Sequence, residues 1–156
     1  MPANRASRHL VLALLSSCIL TTAAFADRQT SSFDHDWHFL KADAQNAQAA
    51  NFNDQSWTTV DGPQDWAIDG PFLATNPTRG SGAFAPSGVS WYRKSFTLPA
   101  SDDGKHVFID FDGVMANSDV WINGFLLGHR PYGYVSFEYE LTGHLNPAGQ
   151  PNLIAV

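Results

Sequence analysis

A chain of 156 residues with a formal net charge of −6 presents too little positive charge to wrap a polyanion, which argues against nucleic acid as a partner. It is 44% hydrophobic and 13% aromatic, enough apolar material for a real core. A single cysteine excludes an intrachain disulfide framework, so packing alone has to hold the fold.

The first segment reads as an export leader. Arg5 and Arg8 precede an apolar run at residues 10–20, and Ala24 and Ala26 supply a small-residue cleavage pattern. The run is shorter than the roughly 20 apolar residues that a membrane span needs, and no later stretch qualifies. Cleavage after Ala26 leaves residues 27–156, the size of one domain, and removes two positive charges without removing a carboxylate. The expected location is the periplasm or the exterior. Leu15, Ser16, Ser17 and Cys18 resemble a bacterial lipoprotein box, which makes lipidation at Cys18 a minor alternative.

Beyond the leader, charges are sparse and Gly and Pro punctuate the chain at short intervals, the texture of an all-β domain. Residues 33–39 interleave Phe33, Trp37 and Phe39 with His35, Asp36 and His38, and read as an amphipathic strand that carries Trp37 into the core. The same His–Asp–His spacing is the nearest approach to a metal site, but the interleaved rings favour the strand and no metal ligands are assigned. Residues 41–50 are rich in Ala without an apolar stripe, so a short surface turn or helix with nothing to pin it to a core is expected.

Residues 88–98 alternate, with Val89, Trp91, Arg93 and Ser95 on one face and Tyr92, Lys94, Phe96 and Leu98 on the other, which predicts a long strand. After a polar turn at residues 100–104, Val107, Ile109 and Phe111 share one face of a second strand, expected to hairpin onto the first. Asp102 and Asp103 in that turn are where a structural Ca²⁺ would be sought. Ser118 to Ile122 repeats the period of two, and Asn123-Gly124 then supplies the backbone of a tight type I′ turn before residues 125–128. Residues 134–141 and 152–156 give the last strands, and short strands at this spacing predict a two-sheet antiparallel sandwich. The closing run Leu153, Ile154, Ala155, Val156 has no turn or cap after it, and is expected to be an incomplete last strand with an open, aggregation-prone edge, as in a truncated chain.

No self-contained active site is legible. Glycoside hydrolysis needs two carboxyl groups facing each other across the scissile bond, roughly 5–10 Å apart. The only glutamates, Glu138 and Glu140, lie two apart on one predicted strand, side by side on a solvated face. No serine sits in a Gly-x-Ser-x-Gly elbow, and Gly80-Ser81-Gly82 lacks the lysine and helix of a phosphate loop. No catalytic residue and no cofactor are therefore assigned. What remains is a set of aromatics in Gly/Pro loops, Trp66, Phe72, Phe84, Tyr132 and Tyr134, with Arg79 and Arg130 nearby. Rings stacked on the apolar face of a pyranose, with a few polar groups on its hydroxyls, hold sugars in this way. Each ring taken alone would equally serve to cap the end of a sandwich.

Six ordered strings carry a family resemblance over nearly all of residues 27–156. Residues 34–39 resemble a "DWRF" strand, residues 54–57 a "D.SW" turn, and residues 62–66 a "PHDW" string with Gln64 in place of histidine. GVSWYRKSF at residues 88–96 is similar to "GVGWYRK.F", residues 111–124 to "F.GV...S.VW.NG", and GHRPYGYVSFEYELT at residues 128–142 to "G..PYGY..F..DLT". These strings resemble the N-terminal sugar-binding domain of family 2 glycoside hydrolases of the β-galactosidase type. The resemblance implies a jelly-roll, galactose-binding-like sandwich, followed in relatives by an immunoglobulin-like domain and a (β/α)₈ barrel that holds both catalytic glutamates. It also implies a loop ahead of the GVSWYRKSF strand that lines the substrate pocket through an asparagine, where this chain has Ala85 and, further upstream, Asn76. The expected substrate-binding residues are Asn76, Arg79, Phe84, Arg130 and Tyr132, and the expected partners are a β-galactoside or related glycan and the remaining domains of a parent enzyme. A free-standing, lectin-like carbohydrate-binding module is the alternative.

Overall fold

The computed structural model describes residues 28–156, of which Ser32–Val156 form one compact unit. The expected leader at residues 1–26, with Cys18, lies outside the described residues. The strands are β1 (Trp37–Leu40), β2 (Thr58–Val60), β3 (Trp91–Thr97), β4 (Phe108–Phe111), β5 (Ser118–Ile122), β6 (Phe125–Arg130), β7 (Phe137–Glu140) and β8 (Pro151–Ala155). Helical structure among the described residues is confined to 3₁₀ turns of three or four residues. The all-β antiparallel expectation holds.

A six-stranded sheet runs β2-β1-β3-β8-β5-β6, and β4 pairs with β7 in a second, two-stranded sheet. The core lies where the two meet. Ile109 from β4 and Leu141 just after β7 pack with Val120, Ile122 and Ile154 of the larger sheet, ringed by Trp37, Phe96, Phe111, Leu127, Phe137 and Tyr139. Trp37 thus reaches the core, while its indole N–H donates to the Phe33 carbonyl at 2.9 Å. Burying a Val or Ile side chain of this kind contributes roughly 1.5–3 kcal/mol, so these few positions anchor both sheets.

The tight hairpin forms where the Asn-Gly pair places it. Ile122 pairs with Phe125, and Asn123 and Gly124 take φ of 51° and 85°, the two positive angles of a type I′ turn. The other expected hairpin does not form. Residues 88–98 and 107–112 both become strands, but β3 pairs with β1 and β8, and β4 crosses to the opposite sheet. Alternation gave each strand's faces correctly. It carried no information about the partner, and the inward faces of β3 and β4 bury apolar surface by facing one another across the core rather than lying side by side.

A second correction concerns the last strand. The run 153–156 is not an edge, since β8 pairs with β3 through Arg93↔Ala155 to Thr97↔Pro151, and with β5 through Trp121↔Ala155 and Ile122↔Ile154. Leu153, Ile154 and Ala155 are all buried, as expected of a continuous apolar run in a strand covered on both faces. The edges of the large sheet are β2 and β6.

Residues 41–50 form turns, as expected, but they are pinned. Arg93, only 2% exposed, donates through Nε to Asp54 Oδ2 at 2.7 Å and through its terminal nitrogens to the carbonyls of Ala47, Ala49 and Phe52. Ala47 is fully buried beneath this clamp. His38, opposite Arg93 in the β1–β3 ladder, reaches the other oxygen of Asp54 at 3.1 Å. Burial pushes the Asp54 carboxyl up, but hydrogen bonds from Arg93 and His38 together with their charges outweigh it and hold the group below its ordinary value.

Candidate functional site

The five residues expected to touch a ligand fall into two groups. Asn76, Arg79 and Phe84 lie in the loop between β2 and β3, and Arg130 and Tyr132 lie at the end of β6 and just beyond it. No hydrogen bond or ring contact joins the groups among the described residues.

The first group builds a rigid loop. Asn76 spends both amide hydrogens on its own loop, donating to the carbonyls of Pro71 at 2.8 Å and Phe84 at 2.7 Å. Thr78 Oγ1 donates to the Ala85 carbonyl at 2.6 Å, and the Leu73 amide donates to the Phe84 carbonyl at 3.2 Å. These bonds over-determine a backbone in which Arg79, Ala83 and Phe84 all take positive φ, of 49°, 53° and 58°. Non-glycine residues in that region cost of order 1–3 kcal/mol each, so the shape is held, not default. The loop presents Phe72, Leu73 and Phe84 to solvent. The Asn76 side chain is a staple of this loop, and its amide donors are already satisfied within it.

Gln64, standing where the family string has histidine, is also engaged, since the Tyr92 hydroxyl donates to its Oε1. Burial, followed by the nearby charge of Asp65, pushes the Tyr92 hydroxyl up to about 12.

The second group lines a cleft. Arg130, Pro131, Tyr132, Val135, Ser136 and Phe137 enclose about 220 Å³. That is below the roughly 300–1,000 Å³ of drug-sized sites and on the scale of a single ring. One wall follows from the strand register. Arg130 pairs across the ladder with Ser118, two residues from the Val120↔Gly128 pair, and residues of the same alternation share a face. The guanidinium carbon sits 5.2 Å from the Phe137 ring centroid and 5.3 Å from that of Tyr139, both on β7, so Arg130 bridges the two sheets. The Asn117 amide donates to the Pro131 carbonyl at 3.3 Å and holds the start of the following loop. Tyr132 and Tyr134 extend from that loop with rings 5.6 Å apart, 61% and 75% exposed. Pro131, Val135, Ser136 and Phe137 were not singled out in the sequence. The string PYGYVSF between Arg130 and Glu138 was the available signal, because a strand returning to the facing sheet has to carry its loop past the end of β6.

No catalytic pair is built among the described residues. Glu138 and Glu140 occupy the outward, solvated face of β7, alternating with the inward Phe137 and Tyr139. A 2.7 Å hydrogen bond with His106, then one with Thr142, holds the Glu140 carboxyl below its ordinary value, which makes it a poor proton donor near neutrality. His35 and His38 pair with separate carboxylates, Asp61 and Asp54, each at 3.1 Å, and Asp102 is held by Lys105 at 2.8 Å. Among the described residues no three His, Cys, Asp or Glu side chains are grouped so that they could hold a metal ion.

The family described as "Beta-galactosidase, galactose-binding domain" matches residues 89–145, a stretch that runs from β3 through the whole cleft wall at residues 130–137. A solved structure of a glycosyl hydrolase family 2 member from Bacteroides cellulosilyticus superposes with a TM-score of 0.76 at 35% identity, over 80% of this chain and 17% of that one. The chain carries the galactose-binding domain of family 2 glycosidases. A β-galactosidase of Bacteroides ovatus is 45% identical over 136 residues, 87% of this chain and 16% of the relative. A β-glucuronidase of Formosa agariphila is 39% identical over 132 residues, 84% of this chain and 13% of the relative. The family 2 domain described above therefore spans about a sixth or less of the length of the relatives it matches.

Proposed function

We propose that this domain binds and positions carbohydrate for an exported family 2 glycosidase that acts on β-galactosides, with the chemistry supplied by carboxylates outside this chain. The observation that supports it is placement: the cleft at residues 130–137 lies wholly within the segment that matches a galactose-binding domain. Its walls combine aromatic rings with few polar groups, the composition that suits a pyranose. Galactosides are preferred over glucuronides because identity is higher to the relative named for galactosides, 45% against 39%. Export rests on the leader read at residues 1–26, with periplasmic or secreted location and lipidation at Cys18 as the minor variant.

Two assays on the 156-residue chain test the proposal. Incubation with a chromogenic β-galactoside is expected to give no turnover above a buffer blank, because Glu138 and Glu140 do not face each other across a cleft. Titration with galactosides, followed by the fluorescence of the five tryptophans, is expected to saturate. Turnover overturns the assignment of chemistry to other domains, and a flat titration with every glycan overturns carbohydrate binding.

A further inference from the structure

Arg130 is a cation without an anion. Among the described residues its guanidinium has no hydrogen-bond acceptor and no carboxylate partner, and it lies over the rings of Phe137 and Tyr139. Apart from Arg79, the other lysines and arginines of Ser32–Val156 are engaged. Arg93 and Lys105 pair with aspartates, Lys94 donates to the carbonyls of Phe33 and His35, and Lys41 donates to the Gly70 carbonyl.

Stacking uses the face of a guanidinium and leaves its in-plane N–H fork, the part that matches a carboxylate or sulfate oxyanion, available. Arg130 lines a cleft of about 220 Å³ whose other walls are Pro131, Tyr132, Val135, Ser136 and Phe137, so an anion placed on it there would be attached to something apolar on one side. The polar capacity of this end of the sandwich is also unfilled. Ser118, opposite Arg130 in the ladder, is 8% exposed and its Oγ has no hydrogen-bond partner. A buried hydroxyl left without a partner costs roughly 1–3 kcal/mol, but Ser118 does not line the cleft, so the ligand contacts are assigned to Arg130 and the cleft walls alone.

We propose that the Arg130 cleft selects galactose-configured sugars bearing an oxyanion, a carboxylate or a sulfate ester on the galactopyranose, with the anion on the guanidinium fork and the ring against Tyr132 and Phe137. This rests on the reading of the domain as carbohydrate-binding and adds to it a preference that neutral galactosides do not satisfy. The domain would then discriminate among glycans by charge at a position of its own.

The test is a titration of the full chain with methyl β-galactoside, its 6-sulfate, methyl galacturonoside and inorganic sulfate, repeated with Arg130→Gln, Arg130→Lys and Tyr132→Ala. A charge-assisted fork is expected to make the sulfated and uronic sugars bind about tenfold or more tighter than the neutral one. The preference should disappear in Arg130→Gln and survive only in part in Arg130→Lys, which keeps the charge without the fork. Added salt should weaken the anionic sugars and leave the neutral one unchanged. Equal affinity for neutral and anionic sugars overturns the inference and leaves carbohydrate binding standing. Inorganic sulfate binding as tightly as the sulfated sugar reduces the site to an adventitious anion site and overturns it as well. If no sugar of either kind binds, both readings fail. The comparison of sugars on the unmodified chain needs no variant, so it stands even if removing Arg130 from Phe137 and Tyr139 loosens the fold.

Discussion

Replacing Asp54 with alanine takes the counter-charge from a buried arginine. Arg93 is 2% exposed, so the variant leaves a guanidinium in the interior with only the carbonyls of Ala47, Ala49 and Phe52 to satisfy it. Breaking a buried pair from one side costs about 3–5 kcal/mol. Three carbonyl acceptors remain and the Asp54 side chain is itself 19% exposed, which places the expected loss near the lower end, about 3 kcal/mol. Against a typical domain stability of about 5–15 kcal/mol this is a large fraction. Urea unfolding followed by tryptophan fluorescence measures it, with Arg93→Met and the double variant completing a cycle. The double variant should recover part of the loss, because it removes the stranded charge. The same pair predicts the acid limb. The folded Asp54 carboxyl lies below its ordinary value of 3.8, so its contribution is fully present above that value and is lost as pH falls through the lower, folded one. Asp54→Asn should flatten that part of the stability profile. A loss below about 1 kcal/mol for Asp54→Ala, the value of an exposed pair, would refute the clamp.

Asn76→Ala removes both hydrogen bonds that close the loop onto Pro71 and Phe84, and should raise amide exchange at Leu73 and Phe84 while leaving β3 protected. Unchanged exchange would show that the loop does not depend on this side chain. Gly128→Ala is expected to cost about 1–3 kcal/mol in chemical unfolding, because a Cβ there would lie 2.6 Å from the Tyr139 hydroxyl. Tyr139→Phe alone, removing a buried hydroxyl that has no partner, should be neutral or slightly stabilising, and a clear loss would show that the hydroxyl is hydrogen-bonded in solution. In an alkaline titration read by phenolate absorbance, one tyrosine should ionise near pH 12. Tyr92 favours its neutral form in the fold, so its contribution is present below the ordinary value of 10 and is lost as pH rises through about 12. Absence of that late step in Tyr92→Phe would assign it.

The candidate site was legible unevenly. Arg130 and Tyr132 were named from the sequence and do share a cleft, but the binding role of any of the five nominated residues stays with the proposal. Asn76 is named by a family pattern, and the structure adds that its amide closes its own loop. In the sequence Arg93 is one more member of an alternating face. Its burial depends on Asp54, 39 positions away, and on carbonyls of a segment with no strand or helix of its own.

Local chemistry set the strand faces, the Asn123-Gly124 hairpin, the turns at residues 41–50 and the outward carboxylates of β7, because a period of two and the backbone freedom of Asn-Gly act within a few residues. The ordered family strings added the jelly-roll reading. Tertiary structure decided that β4 leaves β3 for the opposite sheet, that β8 is an interior strand, that Arg93 is buried, and that Arg130 meets Phe137 and Tyr139 at the mouth of a cleft. Those outcomes turn on which apolar faces can be buried against each other and which buried charges can find partners, and both are properties of the packed chain as a whole.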